Sequence, residues 1–168
     1  MYTGVSVALK NQFGCIPDSL RLLHHHHLDY AIVAVNKLLR PQLAIVEAIH
    51  AMDGGNHIYG KPVRFDTVII SNDLVAADSL GARMMGFSPR KVGHIKLAEA
   101  EGLGASSLDQ VTMNGEPPAP IRLGIRTDWA QKASILVDKT YFTSKLVFDS
   151  PLTGLIYRLI RRERVRRT

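Results

Sequence analysis

The chain has 168 residues, 46% hydrophobic and 21% charged, and a single cysteine, Cys15. That composition suits one folded domain rather than two, and a lone thiol excludes an internal disulfide and points to a reducing, cytoplasmic setting. The longest apolar runs are strand-sized and fall short of the roughly 18 residues of a membrane span, and no charged-then-apolar leader is visible. The net charge of +6 is concentrated in residues 158–168, where six arginines stand against one glutamate. The body is close to neutral, so no nucleic-acid platform is expected of it.

Thr3 is placed to cap a short helix through Lys10 or Asn11, with Val5, Ala8 and Leu9 on one side and Gly14 ending it. Pro17, Asp18 and Ser19 open a second helical stretch that contains four consecutive histidines, 24 to 27. From Leu28 the apolar residues Ala31, Ile32, Val35, Leu38 and Leu39 recur at helical spacing until Pro41 stops the pattern. Residues 42–49 read as a buried strand, followed by the turn-rich Asp53-Gly54-Gly55-Asn56 and by Gly60-Lys61-Pro62. Val63 to Ser71, with Val68, Ile69 and Ile70 at its centre, predicts a second strand. Asp73 is an N-cap for a helix with Val75, Ala76, Leu80, Met84 and Met85 on its apolar face and Gly86 beyond its end. Ser88 and Pro89 suit the N-cap and first position of another helix that Gly102 ends. Residues 110–113 and 121–126 are weaker strand candidates, with Glu116 to Pro120 as a rigid linker.

Strands alternating with helices predict an α/β fold, a layered mixed sheet flanked by helices. The strands are few for so many helices, so the domain is expected to be incomplete. Residues 1–126 are read as the α/β domain, and residues 127–168 as a C-terminal extension with a basic amphipathic helix.

Two groups of segments carry a resemblance. The first is Thr3-Gly4-Val5-Ser6, Ala8-Leu9-Lys10-Asn11 and Phe13-Gly14. The second is Ser71-Asn72-Asp73, Val75-Ala76, Asp78, Ala82-Arg83 and Met85-Gly86. In this order and at this spacing they resemble the uncharacterised family called domain of unknown function 362, found in bacteria and archaea, over roughly Thr3 to Gly104. The glycine-rich turn at Asp53 to Asn56 matches the family's in kind but not in order, and Val46 to Ile49 departs from an Asp-Gly pair common there. Many members carry appended ferredoxin-like cysteine motifs. This chain has none, so no iron–sulfur cluster is expected from it alone, and its cofactor is unknown. The resemblance also implies a front segment with strands and a Lys/His-bearing loop before the Thr-Gly motif. A truncated gene, an alternative start or a fragment would explain its absence, and so would a split protein that a second chain completes.

His24 and His27 stand at i and i+3 and can share one metal, with Asp18, Asp29 or His57 as further ligands. The alternative is a solvated histidine run, since neighbouring histidines diverge on a helix. The stretch Asp53, Gly54, Gly55, Asn56, His57 through Lys61 is a candidate binding loop, because glycines admit close backbone approach and three titratable groups sit among them. It reads equally as an ordinary connection between strands. Lys10 and Asn11 offer an ammonium and an amide to an anionic ligand, or serve as a solvated lysine and a helix cap. Asn72 and Asp73 follow a strand's C-terminal end, where α/β proteins place ligands; Asp73 also suits a cap and Asp78 a first-turn dipole partner or salt-bridge member. Leu155, Ile156, Leu159 and Ile160 make an apolar stripe opposite Arg158, Arg161 and Arg162. Such a segment lies on an anionic membrane surface or packs on its own domain. The function expected is part of a ligand- or cofactor-binding domain, with redox or metal dependence open. The other reading is a non-catalytic subunit or fragment that binds another chain or a membrane surface.

Overall fold

The two β-branched runs form one antiparallel pair, β1 (Ala44–Asp53) and β2 (Lys61–Ser71), with Ala44 opposite Ser71 and Asp53 opposite Lys61. A computed structural model of the chain describes residues 3–16, 21–54 and 60–124. The register slips once. Ala48 faces Thr67 whereas His50 faces Arg64, so Phe65 and Asp66 together answer Ile49. The extra β2 residue is accommodated by Asp66, whose φ of 50° puts it in the left-handed region. Among the described residues this pair is the whole sheet, so the α/β class holds with a two-stranded antiparallel sheet.

Among the described residues four α-helices accompany it: α1 (Ala8–Asn11), α2 (Leu28–Leu39), α3 (Leu74–Met84) and α4 (Gly93–Ala100). Helix α3 packs on both strands and against α1 and α4, and α2 packs on α1 and α4. Val5, Leu9, Ile32, Val75, Ala82, Ile95 and Ala98 form the driest part of the shared core, and Phe65 and Ile69 join it from the sheet. These side chains alternate along β2 and recur at helical spacing on α3 and α4, as burial on one face demands.

Several boundaries differ from expectation. Thr3 does not cap a helix; its hydroxyl donates to the Val5 carbonyl at 2.8 Å, Gly4 turns the chain at φ 75°, and α1 starts only at Ala8. Gly14 lies inside a 3₁₀ turn, Gln12–Cys15, that continues α1. The histidine run is a 3₁₀ segment, Arg21–His27. Helix α2 then buries Leu28, Ile32, Val33 and Asn36, leaving Leu38 and Leu39 exposed, so its inner face is rotated from the stripe read in the sequence. The helix expected from Pro89 is a 3₁₀ turn, Pro89–Lys91; Val92 is extended, and α4 begins at Gly93. The weaker strands do not join the sheet. Leu108–Gln110 is a 3₁₀ turn, and residues 121–124 instead bond to the end of α3, Ile121 N to Met84 O at 2.8 Å and Leu123 N to Met85 O at 3.1 Å. Gly86, at φ 77°, permits that docking: a Cβ there would stand 2.8 Å from the Arg122 Cα. Residues 125–168, with the expected extension and its amphipathic stripe, lie outside the described residues.

Candidate functional site

Two motifs distant in sequence meet on the inner side of α3. The fully buried Asp78 accepts the Leu9 backbone N–H at 2.9 Å through Oδ1, a bond spanning 69 residues. Its Oδ2 lies 3.3 Å from Nε2 of His94, which is also fully buried. On the other edge of the imidazole, Nδ1 lies 3.6 Å from Oδ1 of Asp29, a side chain 40% exposed. Burial alone pushes the His94 imidazole down, but the carboxylates of Asp29 and Asp78 outweigh it and hold the ring above the ordinary histidine value. Asn36 adds a tie from α2, donating through Nδ2 to the carbonyls of Leu9 at 2.9 Å and Ile32 at 2.8 Å. Lys10 sits beside Asp29; burial lowers its pKa and the Asp29 charge partly opposes that. The four helices thus share one polar junction inside an apolar core, with α1 held at both its N–H and its C=O side.

The junction positions the chain just ahead of α1. Val7 rests on Gly81, where a Cβ would stand 3.0 Å from Val7 Cγ2, so the absence of a side chain at residue 81 lets this loop approach α3 closely. Residues 4–7 in turn form one wall of an apolar cleft of about 240 Å³. Val46, Ala48, Ala51 and Met52 of β1 and Phe65 and Ile69 of β2 form the facing wall; Met84, Met85, Phe87 and Leu123 close its end. Polar groups are few and lie on exposed side chains: Ser6, Glu47 and His50. Glu47 is already engaged, accepting at 2.7 Å the N–H of Ile49, the residue opposite the β2 bulge. A cleft of this lining accommodates an apolar body and offers it little hydrogen bonding.

The residues singled out in the sequence fall in several places. Asp53 and Gly54 sit at the cleft's rim: Asp53 Oδ1 accepts the Gly124 N–H at 2.5 Å and Gly54 N donates to Gly124 O at 2.9 Å. Lys61 is exposed opposite Asp53, while Gly55, Asn56 and His57 lie outside the described residues. Lys10 belongs to the polar junction. Asn11 is exposed and helical, and the chain runs on through it, so it caps nothing. Asp73 is the N-cap of α3, accepting from Ala76 N at 2.9 Å, and also holds Ala105 N at 2.8 Å. Asn72 borders a separate, more polar recess of about 350 Å³ with Arg40, Gln42 and the Lys37–Glu101 pair. His94 and Asn36 were not singled out. Their only signal is a polar residue on the apolar face of a helix, beside Ile95 and Ala98 in one case and Ile32 and Val33 in the other.

His24 and His27 are both exposed, three apart in a 3₁₀ segment where such positions eclipse, and the His26 and His27 rings stand 4.3 Å apart. Among the described residues no group of three His, Cys, Asp or Glu side chains is arranged to hold a metal ion, and Asp18 and His57 lie outside them. One thiol in the whole chain does not fit an iron–sulfur cluster, which takes several thiolates. No helix among the described residues is long and apolar enough to cross a membrane.

Comparison with known proteins agrees with the motif junction. The thylakoid-associated protein sll1697 of Synechocystis sp. (strain ATCC 27184 / PCC 6803 / Kazusa) is 22% identical over 112 residues, covering 62% of this chain and 35% of the relative. The chain thus spans about a third of the length of that curated relative. No solved structure matches the chain significantly. A family model described as domain of unknown function (DUF362) matches residues 1–83, the stretch that holds both halves of the Leu9–Asp78 bond and the Val7–Gly81 contact, and the likeness of this half of the chain to that family is thereby established.

Proposed function

We propose that the chain is the motif-bearing part of a cytoplasmic ligand-binding α/β domain, with the apolar cleft as its pocket. Its ligand is a small molecule with an aromatic or branched aliphatic body. One observation carries the reading: the Gly4–Val7 loop, which the family motif encodes, is held by a buried polar junction and walls a cleft of about 240 Å³ against the sheet. Anchoring the helix that follows the loop by buried hydrogen bonds, with Val7 seated on Gly81, suits a preformed binding wall. Methionine methyl groups report on the cleft directly. With ¹³C-methyl methionine in the full chain and indole as the probe, Met52, Met84 and Met85 are expected to shift saturably. Met113, which lies outside the cleft, stays still. The variant Ala51→Phe fills the cleft and abolishes the shifts. No saturable shift up to the solubility of indole, or an equal shift at Met113, sinks the reading.

A second reading, peripheral contact with an anionic membrane, is supported by the relative's printed description as thylakoid-associated and by the arginines of residues 158–168. Co-sedimentation with phosphatidylglycerol vesicles that is lost when those arginines are replaced by glutamine supports it. Equal sedimentation with neutral phosphatidylcholine vesicles removes it.

A further inference from the structure

The buried histidine does more than fill the core. Asp78 has no exposure to water, and among the described residues its carboxylate compensates its burial through two partners, the Leu9 N–H at 2.9 Å and the His94 ring at 3.3 Å. On the far side of the ring, His94 Nδ1 and Asp29 Oδ1 are both dry, and each lacks any nearer hydrogen-bond partner than the other at 3.6 Å. A neutral imidazole carries one N–H and satisfies one of these carboxylates; only the doubly protonated ring donates to both. Three helices aim titratable groups at this point: Asp29 from α2, Asp78 from α3 and, beyond Asp29, Lys10 from α1. Gly93, just before His94, makes the arrangement possible, since a Cβ there would collide with the Asp29 carboxylate.

We propose that His94 is a proton-linked latch on the cleft: as an imidazolium it binds Asp29 and Asp78 together and holds α1 and the Gly4–Val7 wall in place, and on losing its proton it loosens that wall. The link from ring to wall is short. His94 holds Asp78, Asp78 holds the Leu9 N–H, and two residues before Leu9 the Val7 side chain is seated on Gly81. The ligand readout of this proposal rests on the cleft reading above; its amide readout does not.

The direction follows from the environment of the ring, which the two carboxylates hold above its ordinary value. The latch is therefore closed below about pH 6.5, the unperturbed histidine value, and opens as the pH rises through the higher folded value. Lys10 carries the opposite sign, because burial disfavours its charged form while the Asp29 charge partly opposes that.

Amide exchange and imidazole nitrogen shifts of the full chain, followed from about pH 5.5 to about pH 9, test this. The protection factor of Leu9, taken relative to Ile95, is expected to fall along the same curve as the His94 ring titration. Indole affinity falls with it by at most about tenfold per pH unit, the limit for one linked proton. Asp29→Asn keeps the shape, removes one charge from a partly exposed position, and moves ring titration and Leu9 protection to lower pH together. A ring titration that leaves Leu9 protection flat overturns the latch, as does an Asp29→Asn shift in the ring alone. Should indole bind at no pH, the cleft reading fails while the Leu9 amide still decides the latch. Indole affinity that ignores pH while Leu9 protection falls places the loosening away from the cleft and overturns the proposal as well.

Discussion

At the level of single residues, the energetics of this chain centre on Asp78. A buried carboxylate is tolerable only with partners, and removing one member of a buried pair leaves the other uncompensated. Asp78→Ala orphans both the Leu9 N–H and the His94 ring, so a loss of about 3–5 kcal/mol is expected in urea unfolding near pH 6. Asp29→Ala removes a side chain that is 40% exposed although its Oδ1 is dry, and costs less. Equal losses for the two would show that the junction is not organised around the buried member. Stability of the wild-type chain should also decline as pH rises above about 6.5, because the two carboxylates raise the folded value of His94. Little of this was legible beforehand. Asp78 reads in sequence as a dipole partner or a salt-bridge member, because its position near a helix start is local information; its actual partners, Leu9 and His94, lie 69 and 16 residues away and could not be named. His94 carries no signal except that a polar residue interrupts an apolar face.

At the level of elements, the ends that depend on local chemistry are the ones the sequence shows. Asp73 caps α3, Gly86 ends it in the left-handed region, and Pro41 follows α2, all from short-range rules. Asp73→Ala should therefore cost about 1 kcal/mol for the cap, and more where the Ala105 N–H is orphaned, read as a lowered midpoint in thermal unfolding. An unchanged midpoint would mean that water replaces the carboxylate at both sites. The bulge in β2 was not visible, because nothing in Arg64-Phe65-Asp66-Thr67 breaks the alternation of a strand. Its signature is conformational: Asp66 holds φ at 50°, where a side chain is strained. Asp66→Gly is expected to stabilise the chain by about 1 kcal/mol, despite loss of the exposed Arg64 contact, and Asp66→Val to destabilise it. If both substitutions destabilise, the turn depends on the carboxylate rather than on the backbone. The boundaries of α1 and α4 were missed for a related reason. Thr3 and Ser88 look like caps, but each precedes a stretch whose tertiary contacts hold it out of the helix: Val5 and Val7 against α3 in the first case, and the extended Val92 in the second.

For the whole molecule, the α/β class was readable from alternating patterns, and among the described residues the sheet is one antiparallel pair. One face of the sheet meets α3, while the other carries Ile45 directly opposite Ile70, with Val68 and Leu43 beside them, all more than half exposed. Four large aliphatic side chains grouped on one face, each more than half exposed, exceed the scattered apolar residues normal for a surface. Alternation in the sequence cannot reveal this, since a face covered by further polypeptide and a face left open have the same apolar pattern. The exposure itself is measurable. The folded chain should enhance the fluorescence of 1-anilinonaphthalene-8-sulfonate at neutral pH. The paired change Ile45→Lys with Ile70→Glu, which places opposite charges across the two strands, should remove most of that enhancement while amide protection in α3 stays as it was. Enhancement that survives the double change, but disappears in Ala51→Phe, would trace the dye to the cleft on the inner face. The outer face would then be covered by part of the chain beyond the described residues. Loss of α3 protection alongside the dye signal would instead show that the outer aliphatic pair helps hold the sheet together, and that β1 and β2 depend on their exposed face as well as their buried one.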